Sequence, residues 1–479
     1  MPAILGDIVN SEALYVKKAL YNYADAGYSA FKTSTATRRA MVYVGANDGM
    51  LHAFDAETGD EVWAFVPTAV LPNIYRLADK DYARNHQFFV DGSPVSGDIQ
   101  DGTSWKTILV GGLGAGGRSY YALDITNPDS PKALWEFTDA NLGLTFGKPE
   151  ITKLKDGTWV VIFASGYNNV SPGDGRGRLY VVRAIDGQLI RTIDTGVGST
   201  ATPSGLAQIR AWVDRTDVNN TTLRVYGGDN LGNVWRFDVN NDVGAAGYDA
   251  QLLATLRDGL GNAQPLTARP ELGLVNGKAM VYVGTGRYLG VTDLSDTRQQ
   301  TIYAIKDTLG STGWGNPRSS GNFVQQTMTD GTCPTGATVC DASQTVRLGS
   351  SNAVDLATQA GWFVDLPAKS ERANTDPQLA LGTLVFTTNV IDPKACTVGG
   401  FSYINFFDYR TGGPVTSSTG VVSALLGNAV ATRPTIVRLP TGKVISLTRL
   451  SDDRTVVSRI PIGDTPGATR RISWRELAN

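Results

Sequence analysis

The chain has 479 residues, and its 43 Lys and Arg nearly balance its 45 Asp and Glu, which gives a formal net charge of −2. This balance excludes a global electrostatic attraction to nucleic acid or to an anionic membrane. No apolar run approaches the roughly 18 residues of a spanning helix, and Met1–Val9 lacks the basic start and apolar core of a signal peptide. We therefore expect no nucleic-acid partner and no transmembrane segment. Because the strand-like ILGDIV begins almost directly after Met1, we favour one domain cut from a secreted protein over a cytoplasmic protein.

The first 40 residues predict a closing strand followed by a short helix. Ile4–Val16 is an extended segment interrupted by polar residues, and Lys17–Arg39 passes from a helical pattern into a Thr- and Ser-rich stretch. Terminal strands of this kind commonly pair into the first or last sheet of a repeat array. We assign residues 1–40 to this N-terminal portion, residues 41–463 to the main repeat domain, and residues 464–479 to a basic, amphipathic tail.

One β-unit recurs along the chain at irregular intervals. Val42–Phe65 predicts three short strands, and Asn47-Asp48-Gly49 supplies a tight turn between the first two. Val225–Asp238 is a near-copy that aligns without a gap. Looser copies occupy Ile108–Asp124, Val161–Gly187, Val281–Asp307 and Leu384–Gly412. Such repeats are typical of a β-propeller, so we predict an all-β, modified β-propeller with long loop insertions and seven blades, from a range of six to eight.

Within each unit we assign structural roles to a turn glycine, a strand aromatic and an Asp that hydrogen-bonds the next turn. Trp135 has the place in the second unit that Trp63 has in the first. Gly112, Gly114 and Gly117 formally match a GxGxxG dinucleotide pattern, but that pattern requires a helix after it. The strand-like SYYALD follows instead. We therefore predict a Gly-rich hairpin loop and no nucleotide site.

One polar stretch before a strand is a candidate cation site. Its oxygen-bearing side chains are Asp214, Asp217, Asn219 and Thr221. Oxygen ligands at alternate positions are typical of a calcium loop, which also needs a carboxylate near its end. Here Arg215 and Arg224 flank the group, and no acidic residue follows before Asp229. We predict weak calcium binding at most, and the favoured alternative is an Asx-rich turn held by side-chain-to-backbone hydrogen bonds.

Three cysteines bear on the compartment. Cys333 and Cys340 flank a short Gly-, Thr- and Pro-rich loop, and such a loop suits a disulfide in an oxidising compartment, with two incidental thiols as the alternative. Closing this loop stabilises by about 2–3 kcal/mol in the chain-entropy model. Cys396 is left without an assigned partner. Zinc is not expected, because no CxxC occurs and His52 and His86 lie in different sequence contexts.

Enzyme hypotheses find little support in the residues. Two histidines and no Gly-x-Ser-x-Gly elbow give no convincing catalytic triad. Val42–Phe65 and Val225–Asp238 do resemble the repeats of pyrroloquinoline-quinone dehydrogenases, which are propellers. That resemblance implies a quinone under a ring of two adjacent cysteines, beside a calcium ion and a catalytic Asp. This chain has no adjacent cysteines, so the repeat indicates only the blade geometry.

A more specific resemblance appears when further stretches are added in order. They are Leu5–Val16, Val42–Pro67, Phe88–Ile99, Ile108–Thr126, Phe146–Asn169, Val225–Val239 and Val281–Gly290. Together they closely resemble the C-terminal domain of the PilC/PilY family of type IV pilus tip adhesins, over nearly the whole chain. The resemblance implies a modified propeller that reaches the cell surface through the periplasm and sits at the pilus tip above the minor pilins. It also implies an N-terminal adhesive region, absent here together with the signal peptide.

The resemblance further implies a regulatory calcium loop with the pattern D-x-D-x-D-x-x-x-D before the strand that matches Leu223–Gly228. Asp217 and Asn219 fall on its second and third ligand positions, whereas Arg215 and Leu223 occupy the first and last. Asp214 reaches the first position only with a one-residue shift. We therefore predict low calcium affinity or none, and still weaker magnesium binding.

These observations lead to a non-enzymatic, calcium-optional propeller that docks on minor pilins and supports type IV pilus assembly, extension and retraction, and adhesion to host or abiotic surfaces. The alternatives are a periplasmic quinoprotein dehydrogenase and a propeller-type assembly scaffold. The residues do not reveal the docking surface. Our hypothesis for it is the basic tail with Arg470, Arg471 and Trp474.

Overall fold

The computed structural model describes residues 5–244, 247–392 and 399–463. Within these ranges the secondary structure is almost entirely β. The helices are α1 (Tyr28–Ser34) and the 3₁₀ helices Thr68–Ala78, Val291–Ser295 and Thr416–Ser418. Two compact units are distinguished. The first includes residues up to Val225 and Phe237–Ala250, and the second includes Tyr226–Arg236 and residues from Gln251 onward.

The first unit begins with two antiparallel four-stranded sheets, each with its strands in chain order. The strands of the first sheet are β1 (Leu14–Val16), β2 (Met41–Ala46), β3 (Met50–Asp55) and β4 (Glu61–Phe65). β1 pairs with β2, so the predicted N-terminal strand joins this sheet. Those of the second are β5 (Val95–Asp101), β6 (Ser104–Gly112), β7 (Tyr120–Asp124) and β8 (Lys132–Phe137).

The next eight strands form two further groups of four within one sheet. The groups join where Lys153 pairs in parallel with Thr221. The first group is β9 (Glu150–Lys153), β10 (Trp159–Ala164), β11 (Arg178–Arg183) and β12 (Leu189–Asp194). The second group is β13 (Ile209–Arg215), β14 (Asn219–Gly228), β15 (Asn233–Phe237) and β16 (Ala250–Thr255).

The sheets of the second unit depart from the four-strand pattern. The strands are β17 (Glu271–Val275), β18 (Lys278–Gly284), β19 (Thr301–Asp307), β20 (Phe323–Gln326), β21 (Met328–Thr332), β22 (Thr345–Gly349), β23 (Gly361–Asp365), β24 (Glu371–Arg372), β25 (Gln378–Ala380), β26 (Thr383–Ile391), β27 (Gly400–Asp408), β28 (Val421–Gly427), β29 (Thr435–Arg438), β30 (Val444–Arg449) and β31 (Thr455–Arg459). They form three sheets. The five-stranded sheet has the order β17-β18-β19-β23-β20, and the three-stranded sheet has the order β29-β30-β31. The seven-stranded sheet has the order β21-β22-β28-β27-β26-β24, and its seventh strand, β25, pairs with β26.

The first repeat forms the strands that its sequence predicts. Met41–Ala46 pairs with Met50–Asp55 in antiparallel register around the turn at Asn47-Asp48-Gly49. Gly49 takes a φ of +92°, which a residue without a Cβ adopts at little cost. β4 then pairs with β3 and completes the sheet.

The Asp that ends a strand hydrogen-bonds the backbone N–H two residues later, as predicted for the repeat. Asp55 Oδ1 accepts from Glu57 at 2.7 Å, and Asp408 Oδ1 accepts from Arg410 at 2.8 Å. The same contact recurs at Asp124 and Asp307, and at Asp238 directly after the end of β15. Each carboxylate thereby satisfies a turn N–H that has no strand partner.

A tryptophan in an outer strand connects one sheet to the turn of the next. Trp63 Nε1 donates to the Pro128 carbonyl oxygen at 2.7 Å, and Trp135 Nε1 donates to the Ala184 carbonyl oxygen at 2.9 Å. The equivalence predicted for Trp63 and Trp135 is therefore confirmed. In the second unit, Trp362 of β23 donates in the same way to the carbonyl oxygen of Tyr409, after β27, at 3.3 Å.

These sheets confirm the prediction of an all-β chain with propeller blades, but not the predicted number of blades. Four blades have the regular four strands, whereas the other sheets have five, seven and three. The long insertion between Asp307 and Thr345 contributes β20 and β21, which extend two sheets of the second unit. The seven-blade count therefore stays a prediction.

Candidate functional site

The predicted cation residues lie on the hairpin formed by β13 and β14. Asp214 is in β13, Asp217 is in the turn, and Asn219 and Thr221 are in β14. The turn is also anchored through its backbone, because the N–H of Asn22 donates to the Asp217 carbonyl oxygen at 2.7 Å. The four predicted residues therefore belong to one hairpin, and a main-chain hydrogen bond from Asn22 holds its turn.

Three of the predicted side chains make contacts within the hairpin. Asp217 Oδ1 lies 3.6 Å from Arg215 Nε, and both side chains are more than half exposed. Asn219 Oδ1 accepts a hydrogen bond from Thr221 Oγ1 at 2.7 Å. Among the described residues, no group of three His, Cys, Asp or Glu could hold a metal ion. Calcium takes six to eight oxygens, and weak calcium binding at this hairpin stays a prediction.

The structure joins Cys333 and Cys340 in a disulfide, with the two Cα atoms 5.9 Å apart. Cys340 is buried in an apolar cluster with Val346, Ile404 and Phe406, which lie in two strands of the seven-stranded sheet, β22 and β27. The bridge therefore fixes the insertion onto a packed core. Cys396 and the predicted docking residues Arg470, Arg471 and Trp474 lie outside the described residues.

The GxGxxG glycines have packing roles. β6 ends at Gly112 and β7 begins at Tyr120, so the run forms the predicted hairpin loop. A Cβ on Gly112 would lie 2.6 Å from the Thr145 carbonyl oxygen, and one on Gly114 would lie 2.9 Å from the Asp91 carbonyl carbon. These glycines permit close approach of neighbouring backbones in the first unit.

Sequence reasoning missed a polar cluster near the start of the chain. His52 is buried in β3 and lies between Asp48 and Glu61, and His86 contacts Asp7. These are the only two histidines in the chain. The sequence offered one signal for the contact at His52, because His52 follows Asp48 by four residues within the same hairpin. The contact of His86 with Asp7 spans 79 positions, and no local pattern reveals it.

A cavity of about 320 Å³ lies beside His86 in the first unit. Leu71 and Tyr75, on the 3₁₀ helix Thr68–Ala78, are 51% and 68% exposed. The residues that line the cavity are Ala69, Val70, Asn73, His86, Gln87, Phe88, Phe89, Ala115 and Gly116. His86 is the only titratable side chain among these lining residues.

Comparisons with known proteins agree with this architecture. The family model of the PilY1 beta-propeller domain matches residues 5–337. The chain is 33% identical to a type IV pilus biogenesis factor PilY1 homolog of Xylella fastidiosa, over 99% of this chain and 39% of that protein. It is 34% identical to the type IV pilus biogenesis factor PilY1 of Pseudomonas aeruginosa PAO1, over 86% of this chain and 39% of that protein.

A solved structure gives the same relationship in three dimensions. The crystal structure of the Pseudomonas aeruginosa PilY1 C-terminal domain matches with a TM-score of 0.75 and 28% sequence identity. The match covers 93% of this chain and 99% of that chain. In contrast, the chain spans about two fifths of the length of the curated relatives.

The repeated sheets and these matches define a β-propeller protein of the type IV pilus system. The chain belongs to the PilY1 family. This confirms the family inferred from the sequence stretches. The family consists of pilus biogenesis factors and not of enzymes, so the prediction of a non-enzymatic protein is also confirmed. No helix among the described residues has the length and apolarity needed to cross a membrane.

Proposed function

We propose that this chain is the propeller part of a secreted pilus-tip protein that docks on minor pilins. In this role it supports type IV pilus assembly, extension and retraction, and adhesion to surfaces. The observation that carries the proposal is the match to the PilY1 C-terminal domain over 93% of this chain. The relatives' names state pilus biogenesis, and the partners and the tip location are our proposal. Family membership gives no support to the dehydrogenase alternative.

Co-purification with the minor pilins of the same organism tests this proposal. We expect a stable complex, and we expect it to persist when calcium is removed with a chelator. Deletion of residues 469–479 tests the basic tail as the docking surface, because loss of the complex would then follow while the propeller stays folded. An absence of any complex, with or without calcium, would contradict docking on minor pilins and favour the assembly-scaffold alternative.

We further propose that calcium has little or no regulatory effect through the β13–β14 hairpin. Titration calorimetry of the natural chain should show no binding tighter than about 10⁻³ M, the weak end of protein calcium sites. The physical reason is that Asp217 faces Arg215, and Asn219 already accepts a hydrogen bond. An Arg215→Asp/Leu223→Asp variant supplies carboxylates at both missing positions and should bind at least about tenfold more tightly. Submillimolar binding by the natural chain would refute the proposal.

A further inference from the structure

The segment Leu5–Val9 is attached to the first sheet without strand pairing. The Gly6 N–H donates to Asp48 Oδ2 at 2.8 Å, and the Asn47 N–H donates to the Asp7 carbonyl oxygen at 3.0 Å. Asn47 Nδ2 also donates to Asp7 Oδ2 at 3.0 Å. A Cβ on Gly6 would lie 2.4 Å from the Asp48 nitrogen, so the segment lies directly on the turn. Asp7 and Asp48 therefore hold this segment in place.

Both anchoring carboxylates face a histidine. His86 Nε2 lies 3.0 Å from both carboxylate oxygens of Asp7, and His52 Nε2 lies 3.0 Å from Asp48 Oδ2. In the part of the chain that the structure describes, neither carboxylate forms an ion pair with Lys or Arg. Each anchoring carboxylate thus has a histidine ring nitrogen at 3.0 Å.

His52 is arranged to carry a proton on each ring nitrogen. Its Nδ1 lies 2.7 Å from Glu61 Oε1, opposite the contact of Nε2 with Asp48. A neutral imidazole has one N–H and donates to one carboxylate only, whereas the imidazolium donates to both. Burial alone would lower the pKa of His52, but hydrogen bonds from the ring to Asp48 and Glu61, together with their charges, raise the pKa above its ordinary value.

The groups facing the two histidines are few. Asp48 and Glu61 are the titratable groups at His52, and the Phe54 ring stacks on it. Asp7 is the carboxylate at His86, whose ring also contacts Tyr82 and Phe88. The His52 imidazole therefore loses two favourable carboxylate charge contacts when it becomes neutral.

We propose that Leu5–Val9 is a pH-sensitive clamp, held on the Asn47-Asp48 turn while His52 is protonated and released when it becomes neutral. Because the folded-state pKa of His52 is raised, its contribution is fully present below the unfolded pKa of about 6.5 and is lost as the pH rises through the folded-state pKa. The clamp is thus closed in mildly acidic surroundings and open in alkaline ones. It does not depend on which partner the propeller binds.

Hydrogen exchange measured by mass spectrometry between about pH 5 and 8, corrected for the intrinsic pH dependence of exchange, tests the clamp. We expect the protection of the Gly6 and Asn47 amides to fall as the pH rises. The expected fall is about tenfold for each unit by which the pKa of His52 is higher in the clamped state than in the released state. The Asn10 and Glu12 amides are internal controls. They donate to Asp91 and Ser93, which have no histidine contact among the described residues.

Three variants make the test decisive. His52→Gln should abolish the pH dependence. Glu61→Gln, at a half-exposed position, removes one of the two carboxylates at His52 and should move the loss of protection to lower pH. Gly6→Ala should open the clamp at every pH, because its Cβ would overlap the Asp48 backbone. Protection of the Gly6 and Asn47 amides that does not change with pH in the natural chain would overturn the proposal. A pH dependence left unchanged by Glu61→Gln would do the same if His52→Gln does not fold.

Discussion

Gly412→Ala is expected to destabilise the chain by about 3–5 kcal/mol, the range for loss of a buried aromatic. Gly412 has a φ of +72°, and a Cβ there would lie 2.4 Å from the ring of Trp362. Trp362 is fully buried and donates its indole N–H to the carbonyl oxygen of Tyr409. The added methyl group therefore displaces the side chain that connects two sheets of the second unit. Denaturant unfolding followed by tryptophan fluorescence measures the effect.

Gly59→Ala is the matched control for this prediction. Gly59 and Gly412 both end a D-x-x-T-G turn, and each N–H donates to the carbonyl oxygen of the turn Asp, Asp55 or Asp408. Gly59 has a φ of +80° but no atom within 4 Å of its Cβ position. Its substitution should cost only the left-handed backbone penalty of about 1–2 kcal/mol. Equal losses for Gly59→Ala and Gly412→Ala would refute the role assigned to Trp362.

Glu371→Ala should destabilise the second unit by about 3 kcal/mol, the lower end of the range for breaking a buried pair. It leaves the buried Arg347 guanidinium with the mostly exposed carboxylate of Asp330, 3.3 Å from Nε, as its remaining acidic partner. The two guanidinium N–H groups of Arg347 donate to the two carboxylate oxygens of Glu371 at 2.8 and 2.9 Å, and both side chains are almost fully inaccessible. Thr388 Oγ1 also donates to Glu371 at 2.6 Å. Equilibrium unfolding in denaturant is the appropriate measurement.

Two further variants separate the buried charge from the loss of volume. Arg347→Met/Glu371→Leu removes both charges and should recover most of the stability, since apolar replacements of buried pairs are often neutral or stabilising. Asp453→Asn breaks the Arg449–Asp453 ion pair, whose side chains are 63% and 92% exposed, and keeps a residue that tolerates the φ of +68° at this position. It should cost at most about 1 kcal/mol. A double variant as unstable as Glu371→Ala would contradict this explanation.

Features that depend on a few neighbouring residues were predictable from the sequence. The turn at Asn47-Asp48-Gly49, the capping role of Asp55 and the hairpin at Gly112 follow from the chemistry of those residues in place. Trp63 and Trp135 were recognised as equivalent because each has the same place in its repeat. The family resemblance followed from several such stretches in a fixed order, and the comparisons confirm it.

Features that depend on distant residues were not predictable. The insertion after Asp307 supplies β20, which pairs in parallel with β23, and turn chemistry gives no signal for such a pairing. The contact of Asp7 with His86 spans 79 positions and the pair Arg347–Glu371 spans 24, so both form only when separate segments of the chain come together. The irregular sheets of the second unit are the reason why the number of blades did not follow from the number of repeats.

The central claim, that this propeller serves type IV pilus biogenesis through its folded sheets, is tested most directly by counting surface pili. The strain would lack the intact protein and receive it back with the natural sequence, Gly59→Ala or Gly412→Ala. We predict that the deletion removes most surface pili, that the natural protein and Gly59→Ala restore them, and that Gly412→Ala does not. Normal piliation of the deletion strain, or full restoration by an unfolded Gly412→Ala protein, would contradict the claim.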